Sequence, residues 1–188
     1  RETPIERITE KGLKTSDADF EFDMIIYATG FDAITGAFDR IDFQGRGGAK
    51  LRDKWADGPH TYLGLNVVGF PNMLTLVGPH NAATFCNLPR CIEQNVEFVS
   101  DLLGYMRDKG LTRIEATPEA EETWTAHVHD TASRLLLMKV DSWMTGVNKN
   151  VPGRLKRTFM AYAGGAPKYR QKCEEIAANG YEGFKLSS

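Results

Sequence analysis

The run "DFEFDMIIYATGFDA" at residues 19–33 constrains the fold more than any other stretch. Residues 23–28, "DMIIYA", are a continuous apolar segment with β-branched and aromatic members. A half-exposed strand would alternate. A run apolar on both faces predicts a strand covered on both sides, as in a parallel sheet. It ends in Thr29-Gly30-Phe31-Asp32. Gly30 tolerates a positive φ or a close backbone approach, so the chain can turn there. Open α/β sheets bind ligands beyond the carboxyl ends of their strands, which makes this turn a candidate ligand edge. A tight turn that serves only the backbone is the competing reading.

Upstream, Leu13 and Thr15, then Phe20 and Phe22, alternate around "SDAD" and predict a hairpin or paired short strands. Weak strands are expected near 41–43 and 61–63. A firm strand is expected at 73–77, "MLTLV", stopped by Gly78-Pro79. The first clear helix opens at Asn87, a good N-cap residue, with Pro89 in the first turn, where its missing N–H costs nothing. Ile92, Val96, Val99, Leu103 and Met106 fall on one helical face, and Gly110 closes it. Thr117 and Pro118 open a second helix, with glutamates at the positive end of its dipole, running to about residue 138. "FMAYAGG" is a candidate short strand. A last helix spans about 166–178 and ends at Gly180. The class is α/β, with short strands followed by about three helices.

A net charge of −2 and no dense basic run exclude an electrostatic nucleic-acid footprint. No apolar stretch reaches the roughly 18 residues of a membrane span. Cys86, Cys91 and Cys173 lack metal-ligand spacing and read as buried or pocket-lining thiols rather than a disulfide, which favours a reducing, cytoplasmic compartment. His60, His80, His127 and His129 also lack metal spacing, so no metal is expected. No histidine or acid in the pattern would activate Cys86 as a nucleophile. The glycines of "QGRGG" do not form G-x-G-x-x-G, and the chain holds no such phosphate cradle.

"DMIIYATGFDA" resembles the Asp-x-x-x-x-Ala-Thr-Gly segment of flavoproteins with two dinucleotide-binding domains. Its extension is similar to the linker of Baeyer–Villiger monooxygenases. The resemblance continues through "IDFQGRGGAKLRDKW", "YLGLNVVGFPNM", "GPHNAATFCNLPRCIEQNVEFV", "DSWMTG", "NVPGR", "YAGGAPKYR" and "GYEGF". It implies that residues 1–28 end an NADPH-binding domain, 29–32 are the interdomain linker, and 33–188 are the carboxyl-terminal part of the FAD-binding domain. The cofactor fingerprints and the catalytic residues would lie upstream. The first residue is not methionine, and the chain is expected to be part of a longer protein.

The reaction so implied uses NADPH, FAD and O2 to insert one oxygen atom into a ketone, giving an ester or lactone. Two alternatives stay open: an N- or S-oxygenating flavin monooxygenase, and a non-catalytic remnant acting as a scaffold. By the same resemblance, Thr29, Gly30, Asp32, Gly78, Pro79, Asn87, Leu88 and Trp143 would contact cofactor, and so would Asn148 or Asn150, the spacing here being wider than the family's motif. Phe85, Cys86, Leu88 and Trp143 would line the ketone pocket; Phe159, which follows the lid in sequence, is a further candidate, with core packing as the competing reading. Residues 142–157, rich in Gly, Asn and basic side chains, would form a mobile lid. Partners are the ketone, O2 and the upstream part of the same protein, with no nucleic acid and no membrane.

Overall fold

The computed structural model describes residues 3–28, 30, 32–81, 86–148 and 156–188. The chain divides into two compact units, Arg1–Phe31 and Asp32–Ser188.

In the first unit β1 (Ile5–Ile8), β2 (Gly12–Thr15) and β3 (Asp19–Glu21) form an antiparallel sheet in chain order. Leu13 pairs with Phe20 and Gly12 with Glu21. Thr15 secures the "SDAD" turn: its hydroxyl donates to the Ala18 carbonyl at 3.0 Å and accepts the Ala18 N–H at 3.1 Å. The paired short strands are therefore present. Residues 23–28, expected as a doubly covered strand, form none. Met24, Ile26 and Tyr27 are 76%, 80% and 69% exposed. Such a strand needs pairing neighbours and a layer on each face, and the described residues supply neither.

The second unit contains α1 (Gly36–Asp39), α2 (Leu51–Lys54), α3 (Leu88–Asp108), β4 (Arg113–Ala116), α4 (Pro118–Ser133), α5 (Ala166–Ala178) and β5 (Phe184–Ser187). β4 and β5 pair antiparallel, with Ala116 opposite Phe184. Helices and short strands are mixed as expected, with about three substantial helices. Every strand pairing among the described residues is antiparallel.

Residues 41–43 and 61–63 are not strands; only isolated bridges, Gln44 to Lys50 and Tyr62 to Asn66, occur there. The expected strand at 73–77 is also absent. Asn72 and Val77 take left-handed φ values of 60° and 56°, which break extended geometry at both ends of the run. Residues 159–163 are not a strand by pairing, yet they run between two turns and hydrogen-bond to both, as described below.

The core face of α3 matches the predicted apolar face only in part: Met106 is buried and Val99 packs against the core, but the rest of the face is turned. Cys91, Gln94, Asn95, Phe98, Leu102 and Met106 are buried. Ile92, Val96 and Leu103 are 39%, 42% and 50% exposed. α4 starts where expected, the Thr117 hydroxyl accepting the Ala120 N–H at 3.2 Å. It stops at Ser133, short of residue 138. The Thr131 and Ser133 hydroxyls donate to the carbonyls of Val128 and Asp130, each at 2.8 Å, a local bond that competes with helix. A 3-10 turn, Leu136–Lys139, follows.

α3, α4 and α5 close around the main core, which includes Phe98, Leu102, Trp124, Val128, Tyr169 and Ile176 with Phe159 and Phe184. Leu102 has no exposed surface; truncation to Ala would cost ~2–5 kcal/mol. A smaller cluster gathers Leu51, Trp55, Val67 and Phe70. No helix among the described residues is long and apolar enough to cross a membrane.

Candidate cofactor and substrate site

The site is built on a turn, Val77–Asn81, that leads toward α3. Val77 and His80 take left-handed φ values of 56° and 67°. Two glycines interlock beneath the turn. A Cβ on Gly78 would meet the Gly64 carbonyl oxygen at 2.6 Å, and one on Gly64 would meet the Pro79 carbonyl oxygen at 2.7 Å. Only glycine fits at either place.

Buried polar side chains hold the turn. Asn81 Nδ2 donates to Asn95 Oδ1 at 2.9 Å and to the Tyr169 hydroxyl at 2.7 Å. Asn95 Oδ1 also accepts the Val77 N–H at 2.9 Å. The Tyr169 hydroxyl donates to the Leu63 carbonyl at 2.7 Å. Burial pushes the Tyr169 phenol well above its ordinary value, so it stays a donor. Thr75 Oγ1 donates to the Gly64 carbonyl at 2.9 Å, and Thr61 Oγ1 to the Pro79 carbonyl at 3.3 Å.

His80 is fully buried. Its Nδ1 lies 3.4 Å from Thr61 Oγ1, and its ring meets that of His129 edge-on at 5.8 Å. Burial, reinforced by His129 and His60, pushes its pKa down to about 3, so it is neutral. No group of three or more metal-ligating side chains occurs among the described residues.

α3 begins beyond this turn. Asn87 is the N-cap residue as predicted, with extended φ and ψ, but its side chain makes no capping hydrogen bond. Pro89 occupies the first turn. The positive end of a long helix is therefore left without a side-chain cap. Leu88 beside it is half exposed at 50%. Arg90 is paired with Glu93 at 3.2 Å, not turned to catalysis. Cys86 corrects the sequence reading: it is joined to Cys91 as a disulfide, with 6.8 Å between the Cα atoms. Five residues of separation across the helix start bring the two Cα atoms within bridging range.

Trp143 sits in a 3-10 turn, Trp143–Thr145, and is 46% exposed. A capping box fixes this turn: Ser142 Oγ accepts the Met144 N–H at 3.1 Å, and Thr145 Oγ1 accepts the Ser142 N–H at 3.0 Å. Trp143 is thus carried on a rigid turn and is not a buried anchor. Residues 158–162 join this turn to the first one. Thr158 and Met160 donate their N–H groups to the Thr145 and Met144 carbonyls at 3.0 and 2.9 Å. On the same segment, the Met160 carbonyl accepts the His80 N–H at 2.9 Å, and the Tyr162 N–H donates to the Asn81 carbonyl at 3.0 Å. Residues 158–162 so bridge the turn that carries Gly78 and Pro79 to the turn that carries Trp143.

Asn148 Nδ2 donates to Asp32 Oδ1 at 3.2 Å, bringing together two predicted cofactor residues far apart in sequence. Gly30 has φ 78° and open space around its Cβ position. Phe159 corrects the sequence reading: it has no exposed surface and belongs to the main core, so it packs the fold and does not face a ketone. The expected lid is less cationic than its sequence suggests, because Lys156 bonds Asp57 at 2.6 Å and Arg157 bonds Asp141 at 2.9 Å. Thr29, Phe85 and Asn150 lie outside the described residues, as does the 149–155 part of the lid. Sequence reasoning missed Asn81, Asn95 and Tyr169. The available signal was Asn95, a polar side chain in step with the buried Cys91, Phe98 and Leu102.

The Val77–Asn81 turn is tied to α3 by Asn95 and to the Trp143–Thr145 turn through residues 158–162, and the comparisons point to flavin monooxygenases. No protein-family model matches the chain. Along its whole length, however, the chain is homologous to part of the Baeyer–Villiger monooxygenases. It is 46% identical over 187 residues to the 2-oxo-Delta(3)-4,5,5-trimethylcyclopentenylacetyl-CoA monooxygenase of Pseudomonas putida, covering 100% of this chain and 34% of that protein. It is 37% identical to a Baeyer–Villiger monooxygenase of Pseudooceanicola batsensis, covering 95% and 32%. It is 41% identical to phenazine N-monooxygenase PhzNO1 of Lysobacter antibioticus, covering 100% and 34%. The crystal structure of the OTEMO complex with FAD and NADP superposes with a TM-score of 0.89 at 47% identity, covering 100% of this chain and 34% of that one. The closed structure of cyclohexanone monooxygenase gives the same TM-score at 42% identity, with the same shares covered. The chain spans about a third of the length of the curated relatives it matches.

Proposed function

We propose that this chain is the carboxyl-terminal part of an FAD- and NADPH-dependent Baeyer–Villiger monooxygenase. The whole protein would have two dinucleotide-binding domains: residues 1–28 close the NADPH domain, 29–32 link, and 33–188 finish the FAD domain. Its reaction inserts one atom of O2 into a ketone to give an ester or lactone. The observation that carries this reading is the likeness of the whole of this chain, at a TM-score of 0.89 and 47% identity, to about a third of the OTEMO structure, a complex with FAD and NADP. Use of NADPH fits a cytoplasmic enzyme, although the Cys86–Cys91 disulfide runs against the reducing compartment expected from the cysteine pattern.

The residues fit the cofactors. FAD, when bound, supplies the oxygen and redox chemistry, and the protein supplies position and electrostatics. The N-terminus of α3, with Asn87 and Leu88, offers N–H groups and a partial positive charge to an electron-rich ring edge. Gly78 and Pro79 present backbone to the ring face. Leu88 and Cys86, with Phe85, line the ketone side. Trp143, Asn148 and Asp32, with Asn150, border the nicotinamide cofactor and exclude water from the site.

The test is the full-length protein with NADPH, 18O2 and a panel of cyclic and open-chain ketones. Esters or lactones carrying one 18O atom are expected. Oxidation of amines or sulfides with no ketone turnover would overturn the reading. N-oxygenation stays the second reading because a phenazine N-monooxygenase is 41% identical over the whole chain.

A further inference from the structure

Asn81, Asn95 and Tyr169 have no part in the contacts proposed above, yet all three are buried. Burying polar side chains is costly unless every group is partnered. A plain packing role would be met more cheaply by apolar residues. A satisfied polar network does something else: it selects one relative geometry of the elements it joins.

The elements joined here are the two that would face the flavin. Asn95 lies in α3 itself, about 10 Å along the axis from its first residue at 1.5 Å per residue. Its Oδ1 grips both ends of the turn, through the Val77 N–H and Asn81 Nδ2, each at 2.9 Å. Tyr169 grips the same Asn81 amide at 2.7 Å from α5 and passes the bond to the Leu63 carbonyl at 2.7 Å. Leu63 adjoins Gly64, whose missing Cβ makes room for the Pro79 carbonyl. Each link thus fixes the Gly78–Pro79 turn against the helix whose positive end points out of the fold.

We infer that Asn95 and Tyr169 are positioning residues that hold the α3 N-terminus and the Gly78–Pro79 turn in register, and so set how readily the bound flavin accepts electrons. This rests on the flavin reading above. Reduction adds negative charge to the ring. A helix end favours that charge only at short range, because its effect fades beyond the first turn. Loosening the register weakens the favourable field, and the reduced state loses more than the oxidised one.

The test measures the flavin midpoint potential by dye-equilibrated spectral titration of the full-length flavoprotein. Tyr169→Phe removes one hydroxyl and keeps the ring; Asn95→Ala removes the central acceptor. Tyr62→Phe is the control. Its hydroxyl donates to the Glu182 carbonyl at 2.8 Å in the same core, away from the turn. Both network variants should disfavour reduced flavin about tenfold, which is about 30 mV for a two-electron couple. Tyr62→Phe should lower Tm by a similar amount and leave the potential unchanged. Unchanged potentials in Tyr169→Phe and Asn95→Ala, or an equal shift in Tyr62→Phe, would overturn the inference. If Asn95→Ala does not fold, Tyr169→Phe decides alone. If the wild type holds no flavin, the proposed function fails first and this inference goes with it.

Discussion

Glu121 Oε1 accepts the backbone N–H of Val68 at 2.7 Å, and the same carboxylate takes Lys54 Nζ on Oε2 at 2.8 Å. One residue of the first turn of α4 thus fastens the loop beneath the smaller core cluster. Glu121→Ala orphans a backbone donor and a partly buried cation together and should cost about 2–4 kcal/mol. Glu121→Gln keeps an acceptor for Val68 and should cost less. Urea midpoints of the two variants check both the size and the order.

Stability should fall with acid through His80. Its folded pKa, about 3, lies below the ordinary 6.5, so the unfolded chain takes up the proton first. The stabilisation is complete above pH 6.5 and is lost as pH falls toward 3, at about 1.4 kcal/mol per pH unit. Burial, with His60, also lowers the pKa of His129, which adds to the slope in the same direction. From pH 7 to pH 5 the His80 part amounts to about 2 kcal/mol. His80→Gln should flatten the slope of denaturation free energy over that range; an identical slope in the variant would refute the assignment.

Leu88 is half exposed at the start of α3, where the ketone is proposed to sit. Leu88→Gly should redistribute products across cyclic and aryl ketones by several-fold while NADPH affinity holds. Gas chromatography of a ketone panel, beside NADPH titrations, is the measurement. An unaltered product profile would remove Leu88 from the pocket.

Trp143→Ala should slow oxygenation and raise hydrogen peroxide release at least several-fold. The indole is exposed on a turn made rigid by Ser142 and Thr145, so it is free to cover a bound cofactor. Its ring can both pack and donate one N–H. Oxygen uptake compared with ester formed gives the coupling ratio. Equal ratios in wild type and variant would leave Trp143 as a surface residue only.

The helices were legible in the sequence because their ends carry local chemistry: Asn87 and Pro89 at the start of α3, Thr117 before Pro118, and Gly180 after α5. The β1–β3 sheet was legible from alternation about a polar turn. Residues 23–28 and 73–77 were misread as strands, because an apolar run says nothing of pairing partners, and left-handed residues at Asn72 and Val77 bend the second run. The face of α3 was misjudged because Ile92, Val96 and Leu103 outweigh Asn95 in any reading by hydropathy. What decides its orientation is the hydrogen bonding of Asn95 to residues 77 and 81, which only the folded chain reveals. Phe159 was placed near substrate by its neighbours in sequence, whereas core packing claims it. β4 and β5 pair residues far apart in the chain, and nothing local announces such a pairing.

The uncovered run of Met24, Ile26 and Tyr27 governs how this segment behaves when crowded. It is β-prone, carries a single acid at Asp23 and contains no proline, the composition from which intermolecular cross-β stacking starts. Copies of this chain produced without the upstream part proposed above should therefore meet first through this stretch, and cloudiness should rise steeply with concentration while the helical core stays intact. A cation at its centre, Ile26→Lys, should keep such a solution clear, because like charges on neighbouring strands repel. Colloidal behaviour and folding stability of the chain on its own are then governed by separate residues.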